Sequence, residues 1–135
     1  MHAIRNSGLL VVAGLALTIA ATPASAHHAF AAEYDSSKPV QLAGTVTKVE
    51  WTNPHAHFLM NVKDGSGKVS SWDLELGSPN ALQREGWTRN SLQAGNQVTV
   101  RGYLARDGSN LANARDIRLP DGRKVLTGSS HRPKD

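Results

Sequence analysis

Residues 55–76 have the sequence HAHFLMNVKDGSGKVSSWDLEL, and this stretch decides the fold. Apolar and polar side chains alternate on both sides of the glycine-containing segment at 64–67. Alternation with a period of two is typical of strands that bury one face, and Asp-Gly between two such runs indicates a turn. The stretch therefore predicts a β-hairpin.

The register of this hairpin follows from its apolar residues. A shift of one residue would turn every apolar side chain to the opposite face, so the two apolar sets must lie on the same side of the hairpin. The predicted pairs are Phe58 with Leu74, Met60 with Trp72, His57 with Glu75 and Leu59 with Asp73.

The segments around the hairpin predict three further long strands, one short helix and a last short strand. Residues 40–51 are rich in strand formers, and their apolar parity changes near Thr47 or Lys48, which indicates a bulge. Ser78-Pro79 is typical of a helix start, and Gly86 of its end. Two more strands are expected through Val98, Val100 and Leu104 and over 111–119, and a last short strand through Val125 and Leu126.

The order of three strands, one helix and two strands matches an OB-fold, a five-stranded Greek-key β-barrel. We therefore predict a small all-β, OB-fold-like barrel with its helix between the third and fourth strands. An antiparallel sandwich or meander is the alternative topology.

The first 26 residues have the three parts of a secretory signal. Arg5 precedes an apolar run at 9–21, and Ala24-Ser25-Ala26 forms a cleavage site, so we expect cleavage after Ala26. An uncleaved signal anchor is the alternative, but the run is shorter than the roughly 20 residues of a membrane span. The expected location is periplasmic or secreted.

Four segments are expected along the chain: a signal at 1–26, an arm at 27–39, a barrel domain at 40–126 and a disordered tail at 127–135. The chain has no cysteine, which excludes disulfides, thiol catalysis and thiolate metal ligands. Its formal net charge is +4, but the basic residues are scattered, so we expect no nucleic acid partner.

Histidines at 55 and 57 are the first candidate site. Spacing of two on a strand places both imidazoles on one face, where they can share one ion. We expect this face to be the outside of the barrel, with Glu75 as a carboxylate partner. Imidazoles suit Cu(II) or Zn(II). The alternative is an ordinary solvated strand face with a weak surface pair between His57 and Glu75.

Histidines 27 and 28 are the second candidate site. After the expected cleavage, His27 offers its amine and its ring to one ion, and the amine's reference pKa of about 7.7 to 8 lets copper displace the proton. A third nitrogen from His28, His55 or His57 would complete a T-shaped site suited to Cu(II). Alternatively, both histidines are polar residues of a mobile arm.

The remaining candidates point to a partner surface rather than to catalysis. No serine lies in a G-x-S-x-G setting, and no nucleophile, base and oxyanion set can be assembled. We interpret Asp73 and Glu75 as surface carboxylates first, and Trp72 as a core residue. The outer face offers an alternative ligand or partner surface, formed by Trp51, Asn53, Leu59 and Asp73.

Several blocks of the mature chain carry a family resemblance: HHAFAAEYD at 27–35, VTKVEWTNPHAHF at 46–58, ELGSPNALQREGW at 75–87 and DGSNLANARDIRLPDGRKV at 107–125. The chain resembles a family of small exported bacterial proteins, a domain of unknown function, whose mature chains open His-His-Ser-Phe-Ala. The likeness extends over nearly all of 27–126.

The family pattern bears on individual positions. Ala29 stands where members usually carry serine, and His57 where many carry tryptophan, so His57 need not be a shared ligand. The resemblance implies export and an OB-like barrel, and no activity. The positions that match the family pattern are His27, His28, Glu33, Asp35, Trp51, Asn53, Pro54 and His55.

Two functions follow as hypotheses. The first is a periplasmic binding module that holds a divalent metal, copper before zinc, through His27, His28, His55 and His57. The second is a metal-independent module that binds an envelope protein with its arm and outer face. An enzyme ranks third.

Overall fold

The structure is a computed structural model that describes residues 24–126 and side chains from 28 to 124. Residues 1–23 of the predicted signal and the whole predicted disordered tail, 127–135, therefore lie outside the described residues. The elements are α1 (Ala24–Glu33), β1 (Tyr34–Glu50), β2 (His57–Lys63), β3 (Val69–Glu75), α2 (Pro79–Arg84), β4 (Gln97–Ala105), β5 (Leu111–Arg118) and β6 (Lys124–Leu126).

The hairpin of β2 and β3 has the predicted register. All four predicted pairs are present: Phe58 with Leu74, Met60 with Trp72, His57 with Glu75 and Leu59 with Asp73. Just before β2, the ladder continues through hydrogen bonds from Ala56 N to Gly77 O and from Leu76 N to Ala56 O. His55 is therefore held close to the strand although it precedes it.

Five strands close into a barrel. The sheet has the order β3-β2-β1-β4-β5-β6, and β3 also pairs in parallel with β5, which closes the first five strands into a barrel. This is the connectivity of an OB-fold, and it confirms the predicted barrel and its helix between the third and fourth strands. The sandwich and meander alternatives are wrong, because neither has the closing pair. The bulge is also confirmed, as the register of β1 shifts between Val46 and Lys48.

Apolar side chains from every barrel strand fill the interior. Phe58, Met60 and Leu74 have no exposed surface, and Trp72 is half-buried against them, in line with its predicted core role. Burying a large apolar side chain stabilises the folded state by about 1.5–3 kcal/mol. Because these residues alternate along β2 and β3, the polar residues between them face outward.

The α2 helix is capped as the sequence predicts. The Ser78 hydroxyl oxygen accepts a hydrogen bond from Ala81 N at 3.2 Å, and Pro79 is the first helical residue. We expect Ser78→Ala to lower the free energy of unfolding by about 1 kcal/mol, because this amide loses its partner. Urea unfolding measures the change. Ser36→Ala, at an exposed position of β1, is the control for loss of a serine hydroxyl outside the helix, and an unchanged stability in Ser78→Ala would contradict the capping role.

The arm differs from the expected one. The predicted barrel domain begins at residue 40, whereas β1 begins at Tyr34 and follows a helix of 10 residues. Tyr34 pairs with Ala105, and Arg106 N donates to Glu33 O at 2.9 Å. These contacts with β4 are distant in sequence, so local patterns did not reveal them. Within the described residues, no helix has the length and apolar character needed to cross a membrane.

Candidate functional site

The candidate site lies on the outer face of β2 and β3, opposite the barrel core. Two histidine–carboxylate pairs define it. The Nδ1 atom of His55 lies 3.0 Å from Oε1 of Glu75, and Nδ1 of His57 lies 2.8 Å from Oδ1 of Asp73. The structure thus places both imidazoles of the predicted strand pair beside carboxylates.

The pairing of side chains is diagonal. His57 lies opposite Glu75 in the backbone register, yet its ring contacts Asp73, two residues away on β3. Diagonal neighbours in an antiparallel pair are within reach of long side chains. The predicted surface pair between His57 and Glu75 is therefore wrong, and each histidine has a carboxylate of its own.

Glu75 is buried, which corrects its interpretation as a surface carboxylate. Its residue is only 8% exposed, because Tyr34 at the start of β1 covers it. The Tyr34 hydroxyl donates to Oε2 of Glu75 at 2.6 Å, and Tyr34 is itself 1% exposed. Burial, followed by this hydrogen bond, raises the pKa of Tyr34 far above its ordinary value.

Sequence reasoning missed Tyr34. It lies in a polar segment without periodicity, and its role depends on contacts with β3 and β4 that are distant in sequence. The available signal was an aromatic residue between Glu33 and Asp35, two positions that the family resemblance had marked.

Asn113 forms the neighbouring part of the site. It is adjacent to Glu75 in the parallel register of β3 and β5. Leu74 and Ala112, the preceding pair, face the core, so Glu75 and Asn113 both face outward. Asn113 is 4% exposed, and its Oδ1 has no hydrogen-bond partner among the described residues. Glu75 and Asn113 therefore form a pair of neighbouring polar side chains that are both buried from solvent.

The charges of the site change the pKa of Glu33, the last residue of α1. Burial, and then the negative charge of Glu75, raise the pKa of Glu33, while His57 and His55 oppose the shift. Asp107 adds a smaller repulsion. The charges of the site thus act on Glu33, and Tyr34 contacts Glu75 directly. Carboxylates outnumber imidazoles here, which favours a cation.

Burial and the repulsion from Glu75 together predict the behaviour of Glu33→Gln. A carboxyl whose pKa is raised by folding contributes stability at low pH, and the contribution is lost as pH rises through the raised pKa. At pH 7 the variant should therefore be more stable than the wild type, by about 0.5 kcal/mol or less because Glu33 is exposed to solvent. The difference should vanish below about pH 4, near the reference pKa of glutamate.

Thermal unfolding at about pH 7 and about pH 3, above and below the reference pKa of glutamate, measures this effect. Glu85→Gln is the matched control, because it also removes a carboxylate from an exposed helix C-terminus, and its gain should be smaller. A Glu33→Gln protein less stable than the wild type at pH 7 would contradict the predicted repulsion.

The other predicted residues are more dispersed. His28 is exposed on α1, and the side chain of His27 lies outside the described ones. In the predicted partner face, Trp51 is half-buried against the core, Leu59 and Asp73 are half-buried, and Asn53 is exposed. These residues do not form a single exposed apolar surface.

Known proteins place this chain in a family. The model of DUF6152, a family of unknown function, matches residues 15–114. The chain belongs to the DUF6152 family. This match confirms the predicted membership in a family of unknown function. No curated protein matches the DUF6152 chain.

One solved structure to which the DUF6152 chain is similar is the dimeric N-terminal domain of PriB protein from Thermoanaerobacter tencongensis. The two share 20% sequence identity with a TM-score of 0.39. The similarity covers 62% of this chain and 97% of that one.

The described side chains offer two candidate metal ligands, His55 and His57, but not a complete metal site. Among the side chains described, no group of three or more histidines and carboxylates is arranged to hold an ion. His55 and His57 nevertheless use Nδ1 for their carboxylate contacts. Each ring therefore has Nε2 for a ligand, and a third ligand would have to come from elsewhere.

Proposed function

We propose that this protein is an exported binding module that holds a divalent metal ion, copper(II) by preference, through Nε2 of His55 and His57. The observation that carries the proposal is the contact of each Nδ1 with a carboxylate, at 3.0 Å for His55 and 2.8 Å for His57. Its role would be metal carriage or buffering outside the cytoplasm.

The carboxylate contacts favour one form of each imidazole. A neutral histidine that donates Nδ1–H to a carboxylate has its lone pair on Nε2. Metal-binding histidines commonly have this arrangement, because the carboxylate orients the ring and raises the basicity of the ligand nitrogen. Both rings of the site have this support.

The spacing and the charge agree with a shared cation. Residues two apart on a strand face the same side and lie about 7 Å apart, so two imidazoles can converge on one ion between them. Glu33, Asp73 and Glu75 add negative charge around the same place. Imidazole ligands suit Cu(II) best among the common divalent ions, with Zn(II) next.

The third ligand would come from the arm. Its end is already attached to the site through Tyr34 and Glu75. Upstream, His28 is exposed on α1, and cleavage after Ala26 would make His27 the first residue, with a free amine. Either histidine would add nitrogen to the two strand imidazoles.

A metal-independent module that binds an envelope protein is the second candidate. One observation favours it: the described side chains include no preassembled group of three ligands. On this account the two histidine–carboxylate pairs only stabilise the arm on the barrel. Copper binding separates the two functions.

The experiment is mass and metal analysis of protein purified after native export, without an N-terminal tag. We expect an intact mass that begins at His27 and about one copper per chain after equilibration with Cu(II). A chain that begins at His27 and does not bind added copper would contradict the metal proposal, and pull-down of an envelope partner in the presence of chelator would favour the second candidate.

A further inference from the structure

We propose that Tyr34 is a positioning residue of the metal site: its hydroxyl fixes Glu75, and Glu75 in turn fixes the ring of His55. The inference rests on the proposed function, because the fixed ring is one of the two proposed metal ligands. Tyr34 would thus orient a metal ligand without itself binding the metal.

The geometry is a continuous chain of contacts. The Tyr34 hydroxyl donates to Oε2 of Glu75 at 2.6 Å, and the other oxygen of the same carboxylate, Oε1, lies 3.0 Å from Nδ1 of His55. Rotation of the Glu75 carboxylate would break at least one of these contacts. The three residues are thus mutually constrained.

The second histidine lacks such support. Asp73, which holds His57, has a side chain 42% exposed, whereas the Glu75 side chain is 11% exposed. A contact in water is weaker and less directional than the same contact in a buried site. The His55 side chain is itself the more exposed of the two, 39% against 27%, but its carboxylate partner is the better fixed one, so His55 is the pre-oriented imidazole of the pair.

The position of Tyr34 is fixed from several sides. Its ring lies 5.4 Å from that of Phe30, and its backbone pairs with Ala105 on β4. Arg106 holds the end of α1 through its side chain, with Nε donating to Ala31 O at 2.6 Å. Packing thus fixes the side-chain conformation of Tyr34 with its hydroxyl directed at Glu75.

These contacts determine which atoms of Tyr34, Glu75 and His55 donate and accept hydrogen bonds. The Tyr34 hydroxyl donates its hydrogen to Oε2 of Glu75, which is therefore the acceptor. Oε1 of the same carboxylate then also accepts, which requires the proton of neutral His55 on Nδ1. Its Nε2 lone pair faces away from the carboxylate and is available to a metal.

The test compares Tyr34→Phe with the wild type by Cu(II) titration. The substitution removes the hydroxyl and retains the ring that contacts Phe30, and we expect the dissociation constant to rise about 10- to 100-fold. Tyr103→Phe is the matched control, because Tyr103 also contacts the Phe30 ring, at 6.2 Å, but has no assigned role in the chain of contacts. It should bind copper like the wild type.

A second measurement uses metal-free protein. Nitrogen-15 NMR of the imidazoles should show His55 as the Nδ1–H tautomer in the wild type and as a tautomer mixture in Tyr34→Phe. His57 should be unchanged. Equal copper affinity and an unchanged His55 tautomer in Tyr34→Phe would overturn the inference, whatever the metal site does.

A double-variant cycle separates positioning from general damage to the fold. Glu75→Gln retains the shape of the side chain and removes its charge, and it should also weaken copper binding. If Tyr34 acts only through Glu75, the combined variant should bind no more weakly than Glu75→Gln alone. Additive losses would overturn the inference. A wild type that does not bind copper but shows the tautomer change would refute the proposed function and leave the positioning role supported.

Discussion

Replacement of Gly102 by alanine should lower the free energy of unfolding by about 3 kcal/mol or more, the upper range for insertion of atoms into a packed site. A Cβ at this position would lie 2.0 Å from Asn113 O and 3.3 Å from Ala114 Cα. Both atoms belong to the backbone of β5, so no side-chain rotation can relieve the clash. The β4–β5 pair would have to separate.

Urea unfolding of Gly102→Ala and Gly65→Ala tests this prediction. A Cβ at Gly65 has no atom within 4 Å, so the control should remain within about 0.5 kcal/mol of the wild type. Equal stabilities for the two variants would contradict the close approach of β4 and β5. Because Asn113 is adjacent to Glu75, a folded fraction of Gly102→Ala should also have an altered candidate site.

Loss of both strand histidines should have the largest effect on function. We expect His55→Ala combined with His57→Ala to weaken Cu(II) binding by more than about 100-fold, because removal of ligands should cost more than removal of the groups that orient them. Of the single variants, His55→Ala should be the more severe, since its ring is the better oriented one.

Calorimetric titration of the wild type and these variants measures the losses. His131→Ala is the matched control, because it also removes a histidine but not one of the proposed ligands. Wild-type affinity in the double variant would show that the strand pair does not bind copper. A loss confined to His28→Ala would place the site on the arm alone.

The hairpin register was predictable because it depends on a local pattern. Phe58, Met60, Trp72 and Leu74 alternate on both sides of a short turn, and only one register buries them together. The helix cap at Ser78 and the bulge near Thr47 are local in the same sense. Their agreement with the OB order of elements made the barrel predictable too.

The burial of the site was not predictable in this way. Glu75 alternates with core residues and therefore appeared to be a surface carboxylate, but the arm covers it through Tyr34, 41 positions away in the sequence. The closing pair of β3 with β5 places Asn113 beside it. Both contacts arise only when distant segments meet, and no periodicity encodes them.

The contacts of the histidines were predictable only to the level of a shared face. The spacing of His55 and His57 placed both rings on the outside of the hairpin. The register alone paired His57 with Glu75, whereas the side chains reach diagonally, so that His57 contacts Asp73 and His55 contacts Glu75. Direct cross-strand pairing is thus a poor guide where long side chains have diagonal neighbours.

Pulsed electron paramagnetic resonance of the Cu(II)-loaded protein tests the central claim most directly, because it detects imidazole nitrogen coupled to the copper. We predict one copper per chain in the wild type, with imidazole coupling to the metal. This coupling should weaken in each of the single variants His55→Ala and His57→Ala, and it should be unchanged in His131→Ala. A copper signal with the same imidazole coupling in the wild type and the double variant, or a protein that binds no copper, would contradict the claim that these two strand histidines share an ion.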